Sequence, residues 1–599
     1  MLDDFALIDQ ALADVFGLTD TDQELLRDFR AEITVSELDS GATLIKQGDL
    51  SDALFILLRG RLIVSVEKDG VPSFIGEIRQ GETIGEVGLV MQARRNASVR
   101  ASRSSTIARI GADSFHRLLG QYPQLGLAIA RTLITRAQRS AGPRNPGFVP
   151  ETLCLFKVTP DVDLDAVARA IADNHPDPVA IINEAEDAEA GRAQLHDASR
   201  SHGLAILLCS GEKAAWRNMA VAEADEIVRV ADAAADPTPA VWEATLDRPE
   251  EAVLPRQTLL LVHADDTISP SGTAQWLDPR RIDRHLHMRL GNPEDIGRVT
   301  RILTGRAIGL VLAGGGARGA AHLGAIRALD EAGIVPDIVG GTSVGAAMAA
   351  WYAMGLRGDA LQAAACKVFV DSGGPTNDWN LLPMVSLVKG KKTRVLAQRA
   401  IREATGTDIG IEDTWTPFFC VAANYTTQSQ TVLRKGPLWR ALTATYAIPG
   451  VLPPVIIDGH LHVDGGVVNN LPVDVLEETG AAKTICVDLI GGMYRPVGIE
   501  KLPTNMALLL DRLRPKRKRK FRIPGTVSIL LNSTVLSSLE RQRKMRERAD
   551  LGLRPELERI GLLDWTKFPT AIEQSYVSVS KQIATLTPAD LAQLQTVRR

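Results

Sequence analysis

Two strand–turn–helix units follow each other between Ala307 and Gly355, and their glycines leave few folds open. The first, IGLVLAGGGARGAAHLGAIRALDEAGI, runs from an apolar strand through Gly314, Gly315 and Gly316 into a helix. The second, DIVGGTSVG, leads into the small-residue helix VGAAMAAWYAMG. Apolar strands that alternate with helices in this way build a parallel α/β sheet. Gly314, Gly316 and Gly319 also satisfy the spacing G-x-G-x-x-G, so a dinucleotide-binding loop is a rival reading. Such a loop wants an acidic residue at the end of the next strand to hold a ribose hydroxyl. The acid here, Asp337, stands at that strand's beginning, and the strand ends in Gly341-Thr342-Ser343-Val344-Gly345. G-x-S-x-G between strand and helix pushes a serine onto a strained turn with its hydroxyl exposed. Gly341 and Gly345 are needed because that turn crowds the neighbouring backbone.

A serine nucleophile needs a base and a place for the oxyanion. Backbone amides of Gly314, Gly315 and Gly316 at a helix N-terminus suit developing negative charge, and Arg318 adds a positive charge nearby. For the base, VIIDGHLHVDGGVVNNLPV offers Asp458, His460, His462 and Asp464. Asp464 precedes Gly465-Gly466, a turn that presents a carboxylate at a strand end. His462 lies two residues before it on the same strand face, so a Ser-His-Asp triad stays open beside a direct Ser-Asp pair. His322, on the helix after the glycine loop, reads as a packed helix residue.

G-G-G-x-R-G, G-x-S-x-G and D-G-G, with ATYAIPGVLPP before the last, together resemble a patatin-like phospholipase domain over about residues 306 to 475. The resemblance implies a Ser/Asp dyad without histidine: Ser343 as nucleophile, Asp464 as base, and Gly314, Gly315, Gly316 and Arg318 as the oxyanion loop. Thr445-Tyr446 stands where such sequences often carry serine, a departure that bears on the acyl pocket.

Nearer the N-terminus, short alternating strands broken by Gly48, Gly60, Gly70, Gly76, Gly81 and Gly85 predict a small all-β unit between about Glu32 and Ile110. TLIKQGDLSDALFILLRGRLIVSV and GETIGEVGLVMQARRNASVRA resemble a cyclic-nucleotide-binding β-roll over about residues 20 to 140. In that cassette a helix start and one arginine hold the cyclic phosphate and a glutamate takes the ribose hydroxyl. The resemblance assigns these roles to Gly85, Glu86 and Arg95, with Ser98 alongside, and cAMP or cGMP as a regulatory ligand. Arg94 and Asn96 replace the usual proline and small residue, so an interaction-only β-roll remains the alternative. A helix-turn-helix does not follow; AGPRNPGFVP and the strand at Leu153 do.

The fold class expected is multidomain α/β: an N-terminal β-roll with flanking helices (1–140), a linker (141–150), a central α/β domain with a connecting helix (151–304), a patatin-like α/β hydrolase domain (305–488) and a helical C-terminal region (489–599). TLCLFKV, PVAIINEA, LAILLCS and TLLLVHA alternate with helical segments in the central domain, which carries no G-x-x-x-x-G-K-[ST]. The combination resembles the neuropathy target esterase type of patatin-like lysophospholipase in bacterial form, which implies hydrolysis of fatty acyl esters of lysophospholipid or phospholipid. A silent cyclic-nucleotide receptor or membrane-associated scaffold is the alternative.

The chain's 599 residues hold 68 Lys and Arg against 72 Asp and Glu, so no overall basic field points to nucleic acid. Five scattered cysteines without C-x-x-C spacing argue against disulfides and zinc and for a reducing compartment, the cytoplasm. The acidic start MLDDFALIDQALADVFG is unlike a signal peptide, and no apolar window reaches the roughly 18 to 20 residues that span a bilayer. No metal and no required cofactor are expected. Arg512, Arg514, Lys516, Arg517, Lys518, Arg519, Lys520 and Arg522 form a basic run, a solvated segment or a peripheral contact with anionic lipid at the inner membrane face. Oligomeric state is not legible.

Overall fold

The computed structural model describes residues 23–39, 41–68, 71–78, 81–91, 93–122, 149–246, 255–374, 377–489, 501–514, 538–557 and 564–596, with a few isolated positions between them. Of the basic run, only Arg512, Leu513, Arg514 and Phe521 lie within these residues, and the linker before Val149 lies outside them. The chain divides into two compact units, 1–267 with 272–307, and 268–271 with 308–599.

The first unit opens with α1 (Gln23–Glu32) and eight strands: β1 (Ile33–Leu38), β2 (Thr43–Ile45), β3 (Ala53–Arg59), β4 (Leu62–Lys68), β5 (Val71–Ile78), β6 (Thr83–Ile84), β7 (Ser98–Ala101) and β8 (Ser105–Gly111). They form two four-stranded sheets, β1-β8-β3-β6 and β2-β7-β4-β5, with α2 (Glu86–Val90) before β7 and α3 (Ala112–Gln121) after β8. The unbroken apolar run of β3 follows from having both faces covered. Ala53, Phe55 and Leu57 meet Ile45, Leu62 and Val99 inside the roll, whereas Leu54, Ile56 and Leu58 meet Leu25, Phe29, Phe115 and Leu118 of the flanking helices.

Six parallel strands follow: β9 (Thr152–Lys157), β10 (Val179–Ile182), β11 (Leu204–Cys209), β12 (Glu226–Asp232), β13 (Arg256–His263) and β14 (Arg284–Arg289), in the order β10-β11-β9-β12-β13-β14. Helices α4 (Leu164–Asp173), α5 (Ala188–Ser201), α6 (Ala214–Glu223) and α7 (Pro293–Leu303) complete the domain. β12 and β14 escape a hydropathy reading because they carry charge. Arg229 of β12 is fully buried, with its guanidinium on Gln257 Oε1 (2.7 Å) and Glu243 (3.3 Å), and Glu226 pairs with Arg284 of β14. The roll meets this domain at Asp225, which is buried, pairs with Arg61 (3.2 Å) and accepts from Arg103 (3.4 Å) and the amides of Glu151 (2.7 Å) and Thr152 (3.0 Å).

The second unit is an eight-stranded sheet of β15 (Ile308–Leu312), β16 (Ile338–Thr342), β17 (Phe418–Asn424), β18 (Ser429–Leu433), β19 (Val455–Ile457), β20 (His460–Asp464), β21 (Lys483–Val487) and β22 (Leu551–Leu553). Its order is β19-β20-β17-β16-β15-β21-β22 with β18 on β17. The strands from β16 to β22 through β15 and β21 are parallel, and β17 joins them parallel to β16. α8 (Ala321–Glu331) and the wholly buried α9 (Val344–Ala353) follow β15 and β16. α10 (Lys391–Thr405), α11 (Leu438–Thr445), α12 (Asn505–Arg512) and α13 (Phe568–Ile583) come later in the chain. The expected boundary at 488 cuts this unit, because β22 extends the sheet beside β21 and α13 packs on α8 through Ser575 Oγ, which donates to the Ala321 carbonyl (2.6 Å).

Candidate active site

β15 and β16 are parallel neighbours, so the loops that leave their C-terminal ends lie side by side, one carrying Gly314–Gly316 and the other Ser343. β17 then sets the carboxylate. Val421 is opposite Thr342 on one side, and the next residue, Ala422, is opposite Asp464 on the antiparallel β20. This register delivers Asp464 to the level of the elbow.

Ser343 has φ 54° and ψ −128°, a conformation that costs a non-glycine residue roughly 1–3 kcal/mol and persists only where the surroundings impose it. A Cβ on Gly345 would sit 2.2 Å from the Leu312 carbonyl oxygen, and one on Gly341 2.6 Å from the same atom. Both contacts are with backbone, so only glycine lets β16 and α9 approach β15 this closely. The Ser343 hydroxyl donates to Asp464 Oδ2 at 2.7 Å, and Asp464 Oδ1 accepts from the Gly466 amide at 2.8 Å. Burial pushes the Asp464 carboxyl up to about 6, against the pull of these two hydrogen bonds.

The glycine loop lies against Ser343, where a Cβ on Gly314 would be 3.1 Å from Ser343 Cβ. The Gly314 amide is directed at the Asn470 carbonyl (3.4 Å), whereas those of Gly315 and Gly316 have no backbone acceptor among the described residues. Two of the three amides expected in the oxyanion loop are therefore without a backbone acceptor among the described residues. Arg318 is half-buried, donates from Nη1 to the Leu489 carbonyl (3.4 Å) and has no partner for Nε among the described residues. Burial lowers its basicity, and Asp488 opposes the effect.

His462 turns elsewhere: its ring nitrogens face the His460 carbonyl (3.1 Å) and Thr431 Oγ1 (3.2 Å), so the triad alternative is not assembled. His322 is buried with Nε2 on the Ala313 carbonyl (2.7 Å), and burial lowers its pKa to about 4. Asp337 accepts from the Ile308 amide (3.0 Å), tying β16 to β15, and Asp458 forms the β19–β20 turn at φ 49°.

Three further residues surround Ser343 and the glycine loop, and the sequence had marked only Thr445 among them. Thr445 Oγ1 accepts the Ser343 amide (3.0 Å) and donates to the Val421 carbonyl, clamping the elbow between α11 and β17. Asn470 Nδ2 donates to the Gly314 carbonyl (3.2 Å) and to Gln542 Oε1 (3.0 Å). Gln542 in turn donates to Asp488 (2.7 Å), which also pairs with Arg546 (3.2 Å). Thr445 had a signal, since it fills the position where serine is usual. Asn470 and Gln542 had none, being 72 residues apart and carried by unrelated segments.

In the β-roll, Gly85 (φ 86°) starts α2, and Arg95 is buried behind it, bonded to the carbonyls of Gly85 (3.0 Å) and Ala53 (2.7 Å) and to Asp52 (3.2 Å). Glu86 is buried in the first turn, Ser98 Oγ accepts from the Gln47 amide (3.0 Å), and Arg94 reaches the Gly48 carbonyl (2.7 Å). The structure thus brings Gly85 and Arg95 together, with a Cβ on Gly85 only 2.0 Å from Arg95 Nη1. Among the described residues, no group of three or more His, Cys, Asp or Glu is placed to hold a metal ion, and no helix is long and apolar enough to cross a membrane.

Three family profiles match the chain: a patatin-like phospholipase over 310–477, a cyclic nucleotide-binding domain over 35–122 and a neuropathy target esterase family P-loop like domain over 193–307. An uncharacterized NTE family protein of Mycobacterium tuberculosis is 29% identical over 579 residues, covering 94% of each chain. Human patatin-like phospholipase domain-containing protein 6 is 26% identical over 92% of this chain and 44% of its own length. Among solved structures, a cyclic nucleotide-binding domain from Methylobacillus flagellatus is 22% identical over 22% of this chain and 78% of its own, with a TM-score of 0.20. The fold and the phospholipase profile define a lipid-hydrolysing esterase of the patatin-like class with an N-terminal cyclic-nucleotide-binding domain. Its matches are those of a neuropathy target esterase-type patatin phospholipase.

Proposed function

We propose that this esterase cleaves fatty acyl esters of lysophospholipid or phospholipid through Ser343 and Asp464. Asp464 takes the hydroxyl proton as Ser343 Oγ attacks the acyl carbonyl, and the amides of Gly315 and Gly316, with Arg318 nearby, receive the negative oxygen. The carbon–oxygen bond to the glycerol breaks, Asp464 returns the proton to the departing alkoxide, and the acyl group stays on Ser343. Water then gives its proton to Asp464 and attacks the acyl-enzyme; fatty acid leaves and Ser343 regains its proton. The observation that carries this reading is the 2.7 Å hydrogen bond from Ser343, on a left-handed elbow, to a buried carboxylate with no histidine between them. Incubation with lysophosphatidylcholine tests it: fatty acid should appear with the unsubstituted chain and with neither Ser343→Ala nor Asp464→Asn.

Regulation by cAMP or cGMP is part of the same proposal. A cyclic phosphate would take the Arg95 guanidinium from the carbonyls of Gly85 and Ala53, and Glu86 would hold the ribose hydroxyl. Adding either nucleotide to the assay above tests this. The site of action would be the inner face of the cytoplasmic membrane, with Arg512 to Arg522 drawn to anionic lipid. Nucleic acid is not among the partners proposed.

A further inference from the structure

Residues 378–389 form a pinned finger on the catalytic unit. Its base is closed by an antiparallel bridge between Trp379 and Val388, by the Lys389 amide on the Asp378 carbonyl (2.8 Å) and by the Asn380 amide on the Leu387 carbonyl (2.9 Å). Asn380 Nδ2 adds a bond to the Ser386 carbonyl (2.8 Å). The tip between these bonds holds Leu381, Leu382, Pro383, Met384 and Val385. A chain that pins its backbone this firmly would ordinarily turn such side chains inward. Here Leu381 is 96% exposed, Met384 90%, Leu382 81%, Val385 68% and Trp379 at the base 64%. Scattered exposed apolar residues need no explanation, but a contiguous patch rimmed by polar groups marks a contact surface.

The charge beside the tip says what kind of contact. From Trp379 to Arg402 the sequence holds no acidic residue, and Lys389, Lys391, Lys392 and Arg394 follow the tip directly. Lys389, Lys391 and Arg394 are exposed. A second copy of the chain docked on the same face would set these cations against their own kind. An apolar tip with a tryptophan at its base and cations beside it matches instead the boundary of headgroups and acyl chains in an anionic bilayer. α12 repeats the chemistry: Met506, Leu509, Leu510 and Leu513 are exposed at the spacing of one helical face, just where the basic run begins.

We propose that the finger 378–389 inserts its tip into anionic membrane surfaces, with Lys389, Lys391 and Arg394 against lipid phosphates. The finger bears on the active site through its base. The Leu387 and Val388 amides donate to the carbonyls of Gly450 and Val451 (2.9 Å each), and Val388 packs on Val451 and Leu452. That segment follows Thr445, which holds the Ser343 amide, so a docked finger sets the catalytic unit on the surface where its substrate lies. The inference rests on the lipid-esterase reading for the substrate's location, but binding can be measured without turnover.

The test uses the full chain carrying Ser343→Ala in flotation with vesicles of phosphatidylcholine alone or mixed with phosphatidylglycerol. It should float with the mixed vesicles and much less with the neutral ones. Adding Leu381→Ser, Leu382→Ser and Met384→Ser should cut partitioning at least about tenfold, and Lys389→Glu with Lys391→Glu should abolish the preference for anionic lipid. With Ser343 restored, the triple-serine chain should lose hydrolysis of vesicle-borne lysophospholipid while hydrolysing a soluble p-nitrophenyl ester as before. Four results would each overturn the proposal: no vesicle binding by the starting chain, unchanged binding by the triple-serine chain, equal loss on the soluble ester, or sedimentation showing that the serines dissociate an oligomer without altering vesicle binding. An inert soluble-ester assay with the unsubstituted chain would instead count against the esterase mechanism and leave the binding result standing.

Discussion

Asp464, the proposed base, feels no cation among the described residues that shifts its carboxyl. Hydrogen bonds from Ser343 and Gly466 favour its ionised form, yet burial outweighs them and holds the carboxyl near pH 6, above the ordinary 3.8. Catalysis needs the carboxylate, and an acid whose pKa is raised loses that form earlier as pH falls. Hydrolysis of a soluble ester, followed as kcat/KM, should therefore fall about tenfold per pH unit below about 6; a limb displaced to about 4 would mean that the base is elsewhere. Thr445 touches the backbone of Ser343 and not its hydroxyl, the contact of a positioning residue. Thr445→Val keeps the shape but removes the acceptor for the Ser343 amide and the donor to Val421. It should lower kcat about 10- to 100-fold and stability by about 1–2 kcal/mol, while Thr445→Ser restores kcat. A loss of stability with kcat intact would make Thr445 merely structural. Ser343, Asp464 and the glycine loop were legible because each sits in a short segment whose spacing encodes its own geometry. Thr445 was half legible, and Asn470 and Gln542 not at all, because their positions depend on which distant strand ends the sheet brings together.

Elements show the same division. β3, β9, β15 and β16 announce themselves as apolar runs bounded by glycine or polar residues, since burial on both faces leaves no room for alternation. β12 and β14 do not, because their buried charges are neutralised by partners far along the chain, Arg229 by Glu243 and Glu226 by Arg284. Hydropathy cannot see a charge that is paired. The same blindness set the catalytic boundary at 488, since nothing local in LGL at 551–553 says that it will lie beside β21. The dependence of α8 on the C-terminal region can be measured at Gly324, where an added Cβ would lie 2.1 Å from the Ile572 carbonyl oxygen and 2.7 Å from the Tyr576 amide. Both are backbone atoms of α13, so neither can swing aside as a side chain would. Gly324→Ala should wedge the helices apart and cost about 2–3 kcal/mol in urea unfolding followed by activity and circular dichroism. A cost within about 0.5 kcal/mol, the range of neutral surface changes, would mean that α13 is not held as described.

At the scale of the whole molecule, the cyclic-nucleotide-binding domain is followed along the chain by a full α/β domain, and the two meet at Asp225. That carboxylate is buried and joins two arginines of the roll, Arg61 and Arg103, to the first residues of β9, through the amides of Glu151 and Thr152. Arg103 also pairs with Glu151 (2.7 Å), and burial alone would weaken its charge, yet Asp225 and Glu151 hold its pKa above the ordinary value. A pair of this kind stabilises little when complete, but breaking one side leaves an uncompensated charge where water cannot reach it. Asp225→Asn is the informative change, because an amide oxygen can still accept from Glu151 and Thr152 while the arginines lose their counter-charge. It should cost about 3 kcal/mol and uncouple the two folds, so that calorimetry resolves the β-roll as a separate, earlier transition. A nucleotide that binds the roll should then raise only the earlier transition in the variant, whereas in the unsubstituted chain it should raise the joint one. Unchanged joint melting in Asp225→Asn would show that the two domains are held together elsewhere, and a regulatory route would have to be sought there.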